Sequence, residues 1–140
     1  MPHNVIIYDR DRDRINQVLA DFLEDSGARM ALLVDRSGFI LGKNGDFKNV
    51  DTLSLSALAT GSIASTQALA KVVGEESFSA IFHQGKRSNI HISIIANFGV
   101  LVAIFDTNTT VAMVRLFARE TEKKLEPILL DIAERGRKKS

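Results

Sequence analysis

The stretch NIHISIIANFGVLVAIF, residues 89–105, decides the fold. Ile90, Ile92 and Ile94 alternate with Asn89, His91 and Ser93, the period of a strand with one apolar and one polar face, read here from Asn89 to Asn97. Gly99 to Phe105 then runs Val100-Leu101-Val102-Ala103-Ile104-Phe105 without a polar residue, which predicts a central strand covered on both sides. Just upstream, Ser79 to Gln84 predicts a further strand, so three strands follow one another here with no helical period between them.

Farther upstream, Met30 to Val34 and Phe39 to Lys43 flank Asp35-Arg36-Ser37-Gly38, whose turn chemistry predicts a hairpin. Before it, Ile15, Val18, Leu19, Phe22 and Leu23 recur at helical spacing from Asp11 to Ser26, and Gly27 stands where that helix stops. A long second helix starts at a cap supplied by Asp51 or Thr52 and runs to about Val73, with Gly74 as its end. In a last helix, capped from within Asp106 to Thr110, Val111, Val114, Ala118, Leu125, Ile128 and Ile132 form a stripe, and Pro127 is expected to bend it near its end. The order is helix-strand-strand-helix-strand-strand-strand-helix. Without βαβ alternation it predicts an α/β (α+β) fold: a five-stranded, mostly antiparallel sheet, the second helix on one face and the terminal helices on the other. The whole of 1–140 reads as one domain with a core from about 9 to 135 and a basic C-terminal tail, 136–140.

Composition narrows the function classes. Apolar residues make up 45% and charged residues 25%, so a packed globular core is expected. There is no cysteine, which removes disulfides, thiolate nucleophiles and cysteine-based metal sites together. Apolar runs fall far short of the roughly 20 residues of a membrane span. Charged Asp9 to Arg14 stands where a signal peptide would begin its apolar core, and the expected location is cytoplasmic. A net charge of +1 argues against a nucleic-acid partner. Arg135, Arg137, Lys138 and Lys139 are locally basic, and chain-end behaviour predicts a solvated, frayed terminus for them.

No catalytic constellation emerges. The serines, threonines, aspartates and histidines fall in no nucleophile, metal or phosphate motif, and Gly38, Gly42 and Gly45 follow a hairpin where a phosphate loop would open a helix. His83 and His91 lie on strands without a partner at metal-ligand spacing and are read as ordinary surface or hydrogen-bonded histidines; His3 lies near the N-terminus. No metal, cofactor or catalytic residue is expected.

The second helix has two faces. Leu55, Leu58, Ala59, Ile63, Leu69, Ala70 and Val73 form the expected core stripe. Nearly opposite stand Ala57, Gly61, Ala64 and Ala68, and no charged residue occurs from Thr52 to Ala70. Small residues let another backbone approach closely, and a mid-helix glycine costs roughly 0.5–1 kcal/mol relative to alanine, so a docked partner is expected there. A surface helix enriched in alanine by helix propensity alone is the alternative. Beside it, Ala80-Ile81-Phe82-His83 is apolar enough to prefer pairing over solvent, and two copies joined through this strand make an isologous homodimer.

The element order, the hairpin Leu33-Val34-Asp35-Arg36-Ser37-Gly38-Phe39-Ile40-Leu41 and the Ala/Gly-rich helix resemble the Roadblock family over roughly residues 9 to 135. Asn49-Val50-Asp51-Thr52, Leu69-Ala70-Lys71-Val72-Val73-Gly74-Glu75, Phe82-His83-Gln84-Gly85, Leu101-Val102-Ala103-Ile104-Phe105-Asp106 and Val114-Arg115-Leu116 are similar to its bacterial MglB-type polarity regulators. The resemblance implies a homodimer that binds a Ras-like small GTPase of the MglA type, two protomers per GTPase. It also implies that the dimer stimulates GTP hydrolysis by reshaping the switch regions, without an arginine finger and at a cell pole. On this carry-over Ala64 and Ala68, with Thr60, Gly61 and Lys71, form the partner-binding surface, to which the small-residue row adds Ala57, and the apolar strand Ala80, Ile81, Phe82 and His83 is the expected dimer interface. A Roadblock scaffold that binds without changing hydrolysis, and a small-ligand sensor, are the competing readings.

Overall fold

The computed structural model describes residues 6–139; His3 lies outside them. The order is α1 (Asp9–Ser26), β1 (Met30–Asp35), β2 (Ile40–Gly45), α2 (Thr52–Val72), β3 (Ala80–Gln84), β4 (Asn89–Ile95), β5 (Gly99–Phe105) and α3 (Val111–Lys139). The eight expected elements are present in the expected order, and their ends shift by at most a few residues. Local chemistry sets those ends. The Asp51 carboxylate accepts from the Ser54 N–H at 3.1 Å and caps α2, and the Thr110 hydroxyl accepts from the Met113 N–H at 3.2 Å at the start of α3. Gly27 stops α1 in the left-handed region at φ +79°, a conformation that only glycine adopts without strain. The hairpin turn is held by Asp35, whose Oδ1 accepts from the Ser37 N–H, the Ser37 hydroxyl and the Phe39 N–H.

The strand order is β2-β1-β5-β4-β3, with every pairing antiparallel and β5 central. Chain-adjacent strands pair as hairpins, and β1 joins the two units through β5, in the register Leu32↔Val102 and Leu33↔Leu101. Ile15, Leu19 and Phe22 of α1 and Val114, Ala118, Leu125, Leu129 and Ile132 of α3 pack on Leu33, Leu101, Ala103 and Phe105. On the opposite face Ala59 and Ile63 of α2 meet Leu32, Val34, Ile92, Val100 and Val102.

Two expectations need correcting. Leu58, Leu69 and Val73, placed in the core stripe of α2, are exposed, Leu58 at 74%. The helix touches the sheet along a strip of Ser56, Ala59, Ile63 and Ala70, whose small side chains draw it close. Leu58 and Leu69, standing roughly 80–100° to one side of Ala59, overhang that contact. The C-terminal segment is not frayed at Arg135. α3 continues to Lys139, and Arg135 donates to the buried Asp11 carboxylate at 2.7 Å and to the Ile6 carbonyl at 2.9 Å, with its guanidinium 4.2 Å from the Tyr8 ring centre. Pro127 lies inside α3, which continues on either side of it as one helix although proline supplies no N–H to the preceding turn.

The tie between Asp11 and Arg135 fastens the two terminal helices. Burial raises the Asp11 pKa, but hydrogen bonds from Arg135, from the Tyr8 N–H and from Arg14, with the Arg135 charge, outweigh it and hold the carboxyl at about 2.

Candidate functional site

The outward side of α2 carries Ala57, Gly61, Ala64, Ala68 and Lys71, all exposed, and Lys71 is the only charged residue in the helix. Thr60 is half-buried, and its hydroxyl donates to the Ser56 and Ala57 carbonyls, both at 3.0 Å. It presents a methyl group more than a free hydrogen-bonding group. The β1–β2 turn at Gly38 rests against Ala57 and Thr60, which fixes the N-terminal half of the face to the sheet. Near the other end, the Gln67 side chain accepts from the Phe78 N–H at 3.2 Å and donates to the Phe78 carbonyl at 3.3 Å, holding the segment that leads into β3.

A methyl group added at Gly61 would meet nothing within 4 Å. Neither a close neighbour in this chain nor a left-handed backbone requires glycine there. Leu53, Leu58, Leu69 and Val72 enlarge the face, Val72 being 83% exposed, so one flank of the small-residue row is apolar and bulky. Sequence periodicity missed Leu58 and Leu69 as surface because it assigns them to the core stripe.

β3 is an outer strand, and among the described residues only β4 pairs with it. Ala80 and His83 are exposed and Ile81 is half-buried against the α2-side core. Phe82 points to the other face, 43% exposed, with its ring stacked 6.0 Å from that of Phe105. The free edge of β3 and the outer side of α2 are thus joined through the Gln67–Phe78 contact.

His91 and Ser93 are where the sequence reading fails. The alternation marks the face of β4 that carries them as its polar one, yet α3 covers it, and they are 3% and 2% exposed. Neither imidazole nitrogen has a hydrogen-bond partner among the described residues, so His91 is neither a surface histidine nor a hydrogen-bonded one there. Burial, with the nearby Arg115 charge, lowers its pKa to about 4, so the ring is neutral at neutral pH. His83, by contrast, is exposed on β3. The described residues contain no group of three His, Asp or Glu side chains placed to hold a metal ion. None of their helices is long and apolar enough to cross a membrane.

Comparison with known proteins bears on this arrangement. The family model described as the Roadblock/LC7 domain matches residues 14–105. Among solved structures, Myxococcus xanthus MglB is 32% identical, with a TM-score of 0.82 over 91% of this chain and 96% of its own. The gliding protein MglB from Thermus thermophilus is 32% identical, with a TM-score of 0.81 over 91% and 96%. A structure described as MglB with tetrameric arrangement is 30% identical, with a TM-score of 0.85 over 94% and 98%. Comparison with curated protein sequences returned no match.

Proposed function

The chain belongs to the Roadblock/LC7 family, and from that premise we propose that it is a homodimeric regulator of a small Ras-like GTPase of the MglA type. It acts without an active site of its own, stimulating GTP hydrolysis by reshaping the GTPase switch regions. The observation that carries this reading is the outer side of α2: an exposed, nearly uncharged helix face with a glycine at its middle that nothing in the chain requires. Water does not favour such a surface, whereas a second backbone packed closely against Ala57, Gly61, Ala64 and Ala68 does. Lys71 at its rim supplies one charge for orientation.

The free edge of β3 supports the dimer. Two such edges paired about a twofold axis satisfy the open backbone groups of both and bring the two α2 helices side by side on one face of a continuous sheet. Two protomers then present one composite surface to a single GTPase. Because positioning and charge stabilisation carry most of phosphoryl transfer, a partner that only holds the switch regions in place can accelerate hydrolysis.

The test is single-turnover GTP hydrolysis by a Ras-like GTPase from the same organism, with this protein titrated past two equivalents. The rate is expected to rise and level off near two protomers per GTPase. Ala64→Arg and Ala68→Arg are expected to abolish binding while the variants keep the helical content of the unmodified protein. An unchanged rate with binding intact would instead make the protein a scaffold. Variants that bind normally would remove the α2 face from the proposal.

A further inference from the structure

On the opposite side of the sheet from α2, α3 and the β4–β3 corner enclose a cavity of about 60 Å³ lined by Ser79, Ala80, His91, Ser93, Arg115, Arg119 and Glu122. We infer that this cavity is a binding site for a small protonated oxyanion, inorganic phosphate.

Two elements build the site. β4 supplies His91 and Ser93, two residues apart and so on one face of the strand; α3 supplies Arg115, Arg119 and Glu122, spaced i, i+4 and i+7 and so on one side of the helix. Both imidazole nitrogens and the Ser93 hydroxyl are buried without a hydrogen bond of good geometry, although the Glu122 carboxyl lies close to Ser93. A buried polar atom left in this state costs about 1–3 kcal/mol, so three together at the lining of one cavity call for an occupant. Arg115 and Arg119 are exposed, and neither takes part in an ion pair among the described residues. Arg119 feels Glu122 only at longer range.

The mixture of groups selects the ligand. Water could satisfy His91 and Ser93 but would leave both guanidinium groups unused. An oxyanion accepts from both arginines, from the one imidazole N–H and from the Ser93 hydroxyl. The neutral imidazole also offers an acceptor nitrogen and Glu122 an acceptor carboxylate, and these need a donor from the ligand. Two arginines against one glutamate leave the site with a net positive charge, which holds an anion while disfavouring one that brings only acceptor oxygens. A phosphate that keeps a P–O–H group at neutral pH meets both demands. Fully ionised sulfate has the same shape and lacks the donor. Ala80 also belongs to the free edge of β3, so the cavity opens beside that edge and on the opposite face from the α2 surface.

The experiment is an NMR titration of the unmodified protein with inorganic phosphate, sulfate and glycerol phosphate at matched ionic strength, following the backbone amide and imidazole of His91. Phosphate is expected to shift these resonances saturably, with sulfate about tenfold weaker or more, a discrimination of about 1.4 kcal/mol. Glycerol phosphate, which has largely lost its second proton at neutral pH, is expected to bind as weakly as sulfate, and equal saturation by it would remove the donor requirement. Arg115→Gln and Arg119→Gln, at exposed positions, are each expected to weaken phosphate by a similar factor, and Lys123→Gln, outside the cavity, to leave it unchanged. Linear, unsaturable shifts, equal affinity for phosphate and sulfate, or an affinity untouched by both arginine substitutions would overturn the inference.

Discussion

Beneath α1 and α3 the sheet is covered by two helices that bury Ile15, Leu19, Phe22, Val114, Leu125, Leu129 and Ile132, and an ion pair between Asp11 and Arg135 fastens one helix to the other. Beneath α2 the same strands meet one helix that buries Ser56, Ala59, Ile63 and Ala70 and leaves Leu53, Leu58, Leu69 and Val72 in solvent. Large apolar side chains on a helix in water are common singly, but here they flank a charge-poor row of small residues next to a strand with one free edge. The first face is finished by the chain that makes it. The second leaves large apolar side chains uncovered, and the difference separates what stabilises this protein from the surface proposed for partners.

The largest test of that contrast is a pair of truncations. Leu129→Ala, in the buried α3 layer, is expected to cost about 3–4 kcal/mol in denaturant unfolding, and Ile63→Ala, under the single helix, nearer 2 kcal/mol. Equal losses would mean that both faces are packed alike. Acid then probes the α3 side. The folded-state pKa of His91 lies at about 4, below the ordinary 6.5, so the unfolded chain binds that proton more readily. The stabilising effect of keeping the ring neutral is complete above about pH 6.5 and is lost as pH falls towards about 4, a change on the order of 3 kcal/mol. His91→Gln should flatten the stability profile across that window and no other.

Next in size is the tie between the terminal helices. The Asp11 carboxyl titrates at about 2 in the folded chain against 3.8 ordinarily, so its contribution is present above about pH 4 and fades as pH falls through about 2. Asp11→Asn should lower stability at pH 7 by about 2 kcal/mol and remove that acid-side slope. Retained stability would show that packing alone joins α1 to α3. On the α2 side the sign reverses. Gly61→Ala is expected to raise stability by about 0.5–1 kcal/mol, because the helix gains propensity and the methyl group meets nothing in the chain. On the proposed function it should at the same time weaken binding of the GTPase. The smallest effect on folding is expected from Leu58→Gln with Leu69→Gln: circular dichroism unchanged, but light scattering showing loss of the proposed dimer. A loss of helix content would place both leucines in the core after all.

Much of the fold was legible because its signals are local. The alternation from Asn89, the apolar run Val100 to Phe105, the Asp35 turn, the Asp51 cap and the stops at Gly27 and Gly74 each depend on neighbours a few residues away. The small-residue row of α2 was legible for the same reason, since helical geometry alone places Ala57, Gly61, Ala64 and Ala68 together. The leucines were misread because periodicity says which residues share a side of a helix, not how wide a strip the sheet will cover.

By itself, then, the sequence determined the number and order of elements, the antiparallel hairpins and the uncharged side of α2. All of these follow from backbone preferences and side-chain spacing over a few turns. Only the tertiary structure decided that α3 would lie over β4 and bury His91 and Ser93 beside Arg115 and Arg119, that Arg135 would reach back to Asp11, and that Leu58 and Leu69 would overhang the sheet. Those outcomes depend on which distant surfaces meet, and burial, charge pairing and pKa take their values only once that packing excludes water from one side of a residue and leaves it on the other.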